Sequence, residues 1–353
     1  MPSADPQTHG LQCECIRGAG RQFAMAIALI TISLACGCAG SRSGEPDAGF
    51  TGNTTFELAA VYSDTSLQGI AVSPPRTGET GLFLASPVSI APAGASRPGS
   101  LIIADRQSGR VVQVADNGAV IRDAVVTGNG PVNSARAPRM IRLDFGGSLF
   151  IADGVTGRVQ TYDTQWRHGA DITPPYAAIG VVEGSITGLA LGAFGETYLV
   201  DGSNARLYRF DASGRFLSSF RGEEYGWARL SRPAGAACAA NDGSVFVCDP
   251  GLSRVVVFDN AGIPQRSFGE GDLAEPAAVA LDGHGLAYIA DTKSKMIFIY
   301  DSTGRLVGRI DSATLPDAML QGPTDVAIAD SVLYIADPPS GRVLKILMHN
   351  PGH

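Results

Sequence analysis

Leu101-Ile102-Ile103-Ala104-Asp105, followed by Gly109-Arg110-Val111, reads as a short strand, a tight loop and the start of a second strand. The phrase comes back five times. It reads Leu149-Phe150-Ile151-Ala152-Asp153 with Gly157-Arg158-Val159, then Tyr198-Leu199-Val200-Asp201 with Arg206-Leu207. It recurs as Val245-Phe246-Val247-Cys248-Asp249 with Arg254-Val255, and as Tyr288-Ile289-Ala290-Asp291 with Lys295-Met296. The last copy is Leu333-Tyr334-Ile335-Ala336-Asp337 with Gly341-Arg342-Val343. From Asp105 to Asp337 the aspartates step by 48, 48, 48, 42 and 46 residues, a period that belongs to the blades of a propeller.

Working outward, each unit opens with an apolar strand marked by Leu-x-x-Pro, as in Leu84-Pro87, Leu230-Pro233, Leu273-Pro276 and Leu320-Pro323. Pro138 keeps only the proline, and the third unit has Ile186 instead. A proline at the first residue of a strand removes no ladder bond. Polar turns such as Asp144-Phe-Gly-Gly147 and Asn241-Asp-Gly-Ser244 lead back into the quoted phrase. After it comes a third strand of the type Arg254-Val-Val-Val-Phe258-Asp259, then a turn such as Asp259-Asn-Ala-Gly262, then an outer fourth strand. Four antiparallel strands repeated about an axis predict an all-β chain, a six-bladed β-propeller. The last unit stops at Leu347 without a fourth strand, whereas Phe56 to Tyr62 is a strand with no unit of its own. Pairing the two removes two open sheet edges, so the N-terminal strand is expected to close the last blade. Residues 63–83 fit the repeat poorly and read as an inserted hairpin or a worn seventh unit.

The proline, the apolar-aromatic-apolar-x-Asp phrase and the Arg-Val mark together resemble the NHL-repeat family over about residues 84–347. That resemblance implies a six-bladed propeller. It leaves activity open, because family members include RNA- and protein-binding modules, receptor-kinase sensor domains and a peptide-amidating lyase.

With a formal charge of −7 and only three lysines (293, 295 and 345), the chain lacks the broad positive surface that phosphate backbones require. No nucleic acid is expected as a partner, though a local arginine patch is compatible with that charge. Phe23 to Ala35 is an apolar run preceded by Arg17 and Arg21 and closed by small residues, the pattern of an export signal. The run is too short to span a bilayer comfortably. Residues 1–35 are therefore read as a signal peptide, 36–55 as a flexible tether, 56–347 as the propeller and 348–353 as a tail. Cys36 or Cys38 stands where a bacterial lipoprotein carries its acylated cysteine, although the match to a lipobox is imperfect. This places the protein at the cell envelope, lipid-anchored and facing the periplasm or cell exterior, or else secreted or periplasmic. Cys238 and Cys248 lie in neighbouring strands; they replace apolar residues of other repeats and read as buried thiols in preference to a bridge.

Chemistry has few carriers. Asp105/Arg110, Asp153/Arg158, Asp201/Arg206, Asp249/Arg254, Asp291/Lys295 and Asp337/Arg342 are expected to be cross-strand ion pairs capping a loop in every blade. The competing reading is a ring of carboxylates at the channel mouth holding a divalent cation, the basis of a lyase or hydrolase. His168 and His284 are too few for a zinc centre, so no metal ligand, catalytic residue or cofactor is assigned. Two loops read as links between blades carry both tryptophans. One holds Trp166, Arg167 and His168, and the other holds Tyr225, Trp227 and Arg229. Exposed aromatics beside arginine anchor interfaces, so one face bearing all six is expected to bind a protein, peptide or glycan. The alternative is that each ring packs over a gap between blades.

Overall fold

A computed structural model describes residues 55–63, 84–93, 99–125, 138–154, 157–315 and 319–349. Residues 1–54, which take in the expected signal peptide, Cys36, Cys38 and all of the expected tether but Thr55, lie outside the described residues, as do residues 64–83 and the last four. Strand β1 (Thr55–Ser63) precedes the first full blade. Blade 1 is β2 (Pro87–Pro92), β3 (Ser100–Asp105), β4 (Arg110–Ala115) and β5 (Val120–Val125). Blade 2 is β6 (Pro138–Leu143), β7 (Leu149–Asp153), β8 (Val159–Tyr162) and β9 (His168–Ile172). Blade 3 is β10 (Ile186–Leu191), β11 (Thr197–Asp201), β12 (Arg206–Phe210) and β13 (Phe216–Phe220). Blade 4 is β14 (Ala236–Cys238), β15 (Val245–Asp249), β16 (Arg254–Phe258) and β17 (Pro264–Phe268). Blade 5 is β18 (Pro276–Leu281), β19 (Ala287–Asp291), β20 (Met296–Tyr300) and β21 (Leu306–Ile310). Blade 6 takes β22 (Asp325–Ala329), β23 (Val332–Asp337) and β24 (Arg342–His349) from the C-terminal end and β1 from the N-terminal end.

The chain is a six-bladed propeller. Its closure follows the expectation: β1 pairs antiparallel with β24, with Phe56 opposite Met348 and Tyr62 opposite Val343. Phe56 and Leu58 enter the core between blades 5 and 6, and Tyr62 enters the core shared with blade 1. The second strand of a blade has neighbours on both faces, which is why β3, β11, β15 and β19 are buried at every residue. This explains why the phrase reads as a continuous apolar run and not as an alternation.

Inner strands of adjacent blades approach closely enough to exclude a side chain. A Cβ on Gly235 would lie 2.5 Å from the carbonyl oxygen of Ala277, to which the Gly235 amide donates a 2.8 Å hydrogen bond. Across the closure, a buried network ties blades 6, 1 and 2 together. Asp325, wholly buried on β22, accepts from Arg142 Nη1 at 2.9 Å and Nη2 at 3.0 Å, from the Ser89 hydroxyl and from the Ile90 amide. Cys238 and Cys248 are free thiols. Burial raises the Cys238 thiol to about 11 and holds Cys248 well above the usual range.

Candidate functional site

Strands alternate direction within a blade, so the loops joining strands two and three share one end of the blades with the links from blade to blade. The turns joining strands one and two, or three and four, lie at the other end. The repeat aspartates sit at the first end. Each of Asp105, Asp201, Asp249, Asp291 and Asp337 is fully buried. Their carboxylates accept amide hydrogens. Asp105 takes the amides of Ala85 and Ser86, both at 2.7 Å, and Asp249 takes those of Ser231 at 2.9 Å and Arg232 at 2.8 Å. Asp291 takes Ala274 and Glu275, and Asp337 takes Gln321 and Gly322.

These donors are the two central residues of Leu-x-x-Pro. The buried leucine anchors the segment, its next two amides bind the carboxylate, and the proline, which has no amide to satisfy, begins the strand in blades 1 and 5 and precedes it in blades 4 and 6. In blades 1, 2 and 5 that proline stands in register opposite the aspartate, and a one-residue bulge follows it. Blade 3 has no proline, and its Asp201 takes the Ser203 and Asn204 amides, the Asn204 side chain and the Tyr208 hydroxyl.

The expected ion pairs are therefore corrected in blades 1, 3, 4, 5 and 6. Asp and Arg do face each other in register, as Asp249 faces Arg254, but the carboxylate takes the Ser231 and Arg232 amides and the guanidinium turns away from it, Arg254 Nη2 donating to the Arg229 carbonyl at 3.0 Å. Among the described residues, Arg110 pairs with Asp123, Arg206 Nη1 donates to Ser219 Oγ at 2.8 Å, and Arg254 lies 3.7 Å from Glu270. Arg342 donates to the Met319 carbonyl. Asp153 faces Arg158 across the loop of blade 2, where the Asp153 amide donates to the Arg158 carbonyl. In blade 5, Asp291 faces Met296, not Lys295. Lys295 (φ 58°) instead occupies the left-handed position that Gly109, Gly157 and Gly341 fill elsewhere. The carboxylates of Asp105, Asp249, Asp291 and Asp337 are likewise turned to amides and are not presented as an open ring. Among the described residues no group of three or more His, Cys, Asp or Glu is placed to hold a metal.

The six residues expected on one face divide between the two ends. Trp166 and Arg167 lie in the turn between β8 and β9, and His168 begins β9. The strand itself, His-Gly-Ala-Asp-Ile, is polar and mostly exposed, so nothing in its pattern announces it. The turn is the same Asp-x-x-Gly turn as Asp211–Gly214, with Trp166 (φ 64°) in the glycine position. Its amide donates to the Asp163 carbonyl at 2.8 Å. The half-buried indole, like Leu143 and Tyr162, packs against the core that blades 1 and 2 share, with the Arg122 guanidinium of blade 1 at 5.8 Å from its centre. Arg167 pairs with Asp163, and His168 Nε2 meets Asp171 while its ring stands edge-on to Tyr162. Trp166 thus seals a seam between blades.

Tyr225, Trp227 and Arg229 do lie on the link from blade 3 to blade 4. Residues 221–230 close on themselves: the Leu230 amide donates to the Arg221 carbonyl at 2.9 Å, and buried Ala228 and Leu230 hold the loop down. Gly222 (φ 71°) makes the fold possible, since a Cβ there would meet the Ala228 carbonyl oxygen at 2.2 Å. Tyr225 and Trp227 remain exposed, Trp227 at 48%. Between this loop and the loops after β11 and β15 lies a cleft of about 650 Å³ lined by Trp227, Leu252 and four arginines, Arg206, Arg221, Arg229 and Arg254. Arg206 and Arg254 carry the repeat mark. Sequence reading assigned them to aspartates and so missed the cleft; the exposed Leu252 in the following loop carries no periodic signal.

No family model matches the chain. Over 136 residues it is 26% identical to Protein brain tumor of Drosophila melanogaster, a match covering 37% of this chain and 13% of that protein. The chain thus spans about an eighth of this curated relative. Among solved structures, a streptogramin B lyase superposes with a TM-score of 0.58 at 11% identity, covering 77% of this chain and 97% of the lyase. A gluconolactonase of Xanthomonas campestris gives 0.58 at 13% identity, with 84% and 91% covered. At such identities the likeness shows a shared propeller fold and nothing of chemistry.

Proposed function

We propose that this propeller is an exported recognition module that binds a protein or peptide partner through the cleft between blades 3 and 4. The observation that carries this reading is the exposed Trp227 on a tightly closed loop beside four arginines. Aromatic and arginine side chains held on a rigid rim are the usual anchors of an interface, because little side-chain freedom is lost on binding. The partial likeness to Protein brain tumor and the NHL-type repeat marks support a binding role of this kind. The leader directs the chain to the cell envelope, where a lipid on Cys36 or Cys38 anchors it and residues up to 55 act as the tether.

The test is in-cell crosslinking from a photoreactive residue placed at position 227 or, for comparison, at position 166. A specific partner captured from 227, absent from 166 and lost in a Tyr225→Ala, Trp227→Ala variant of unchanged melting temperature supports the reading. Equal capture from both positions overturns it. For the anchor, metabolic labelling with an alkyne fatty acid is expected to mark the wild type and to disappear in a Cys36→Ser, Cys38→Ser variant. Unlabelled wild-type protein in the membrane fraction would refute lipidation.

A further inference from the structure

Asp201 and Asp249 are taken up by backbone amides and, for Asp201, by the Asn204 side chain and the Tyr208 hydroxyl, and that leaves two repeat arginines, Arg206 and Arg254, without the carboxylates their spacing suggests. Both turn into the cleft, where Arg221 and Arg229 join them. Against these four guanidinium groups stand two carboxylates within ion-pair reach. Glu223 is shared between Arg221 at 3.0 Å and Arg229 at 3.9 Å, and Glu270 lies 3.7 Å from Arg254. The cleft thus keeps an excess of positive charge on a chain whose overall charge is −7.

Hydrogen bonding is also incomplete. Arg254 is only 8% exposed, and its Nε, with those of Arg206 and Arg221, is buried without a hydrogen-bond partner among the described residues. Six arginine Nε atoms share that condition among the described residues, and three of them converge here. Nε atoms so enclosed lie out of a ligand's direct reach, so contact with an incoming acceptor falls to the outer Nη atoms of these arginines. Guanidinium forks suit a planar carboxylate, which they hold through two parallel bonds.

Resting on the recognition role proposed above, we infer that this cleft is a carboxylate-binding site for an acidic peptide: the arginines take its Asp or Glu side chain, and Trp227 and Leu252 pack against an adjacent apolar residue. Two features favour a short peptide over a long polyanion. Glu223 and Glu270 stand beside the cleft arginines and the whole chain is acidic, so the successive charges of a nucleic acid or a sulfated glycan meet repulsion beyond the pocket. The wall is also partly apolar, which a peptide side chain matches and a polyphosphate does not.

The experiment measures binding of the full chain, in detergent, to an array of blocked hexapeptides that alternate Glu with Leu, Phe or Tyr. Arrays with Gln in place of Glu, a sulfated disaccharide and oligouridylate are run beside it. Acidic peptides are expected to bind, to weaken roughly tenfold or more when Glu becomes Gln, and to weaken as salt rises. Arg254→Gln should also cost roughly tenfold. Because Arg254 is buried, Arg221→Gln and the more exposed Arg229→Gln serve as variants that leave the core intact, and both should weaken binding. Arg215→Gln, in the exposed turn after β12, is the charge control and should bind as wild type. Equal binding of the Gln array, tighter binding of the glycan or oligouridylate, or no peptide binding overturns the inference. If Trp227-dependent capture in cells survives Arg221→Gln and Arg254→Gln, the recognition role stands and the carboxylate site falls. If that capture itself is absent, the recognition role falls first.

Discussion

The turn around Trp166 and the loop around Trp227 hold both tryptophans of the protein, each within two residues of an arginine, and in sequence they look alike. Their structures differ because different constraints fix them. Trp166 fills the left-handed slot of a repeated four-residue turn, so its indole falls back onto the blade seam and meets Arg122. Trp227 belongs to a link that occurs once, pinned by Ala228, Leu230 and the Arg221 carbonyl, and it stands out from the surface. A residue in a repeated slot inherits the packing of the repeat; one in a unique link is free to serve recognition.

The largest effect should come from breaking the support of each region. Asp249 holds the end of the Trp227 link through the Ser231 and Arg232 amides. Asp249→Ala leaves those amides unpaired in the wall and is expected to lower stability by about 3–5 kcal/mol in urea unfolding. Asp163→Ala, in the exposed Trp166 turn, should give a far smaller loss; comparable losses would mean that the two aspartates do equivalent work.

Next come the rings themselves. Tyr225→Ala with Trp227→Ala should weaken partner binding by roughly thirtyfold or more while changing stability by under about 0.5 kcal/mol. Trp166→Ala should do the reverse, lowering stability by about 1–2 kcal/mol through lost packing and cation–π contact while leaving binding intact. Calorimetric melting beside a binding titration separates the two patterns.

Acid should act on the turn end of the blades. A hydrogen bond from Ser213 Oγ, followed by the Arg215 amide, holds the Asp211 carboxyl down at about 2, and the Arg167 amide lowers Asp163 in the same way. Both are depressed in the folded state, so their contribution is complete above the ordinary value of 3.8 and is lost below it, that of Asp211 as pH falls through about 2. Stability should be level from neutral pH to about 4 and then decline. Asp211→Asn with Asp163→Asn should flatten that decline. The smallest change is expected of Trp166→Gly, which relieves the left-handed strain and forfeits the seam contact, for a net effect within about 1 kcal/mol.

The repeat made the architecture legible. Steps of 42 to 48 residues between aspartates gave the blade count, and an unpaired strand at each end of the chain gave the closure. The meaning of the marks was harder to read. Leu-x-x-Pro and the later aspartate look like separate signatures, and only the fold shows that one supplies amides to the other, because that bond joins residues up to 20 positions apart. Trp166 was misplaced because β9 is polar and short, although aligning Asp163 with Asp211, Asp259 and Asp301 would have put it in the glycine slot. Arg142 and Asp325 went unnoticed as well. Their one signal is a charge on an inner strand where the other blades carry Gly, Ala, Ser or Met, and a separation of 183 positions conceals the pairing.

Because the protein has only two tryptophans, its fluorescence tests the central claim directly. Trp166→Phe leaves Trp227 as the reporter, and Trp227→Phe leaves Trp166. Titrating each single-tryptophan variant with the acidic peptide that binds best should shift and saturate the emission of Trp227 and leave that of Trp166 unchanged. A saturable response from Trp166, or none from Trp227 under conditions where the peptide is bound, would contradict the assignment of recognition to the cleft between blades 3 and 4.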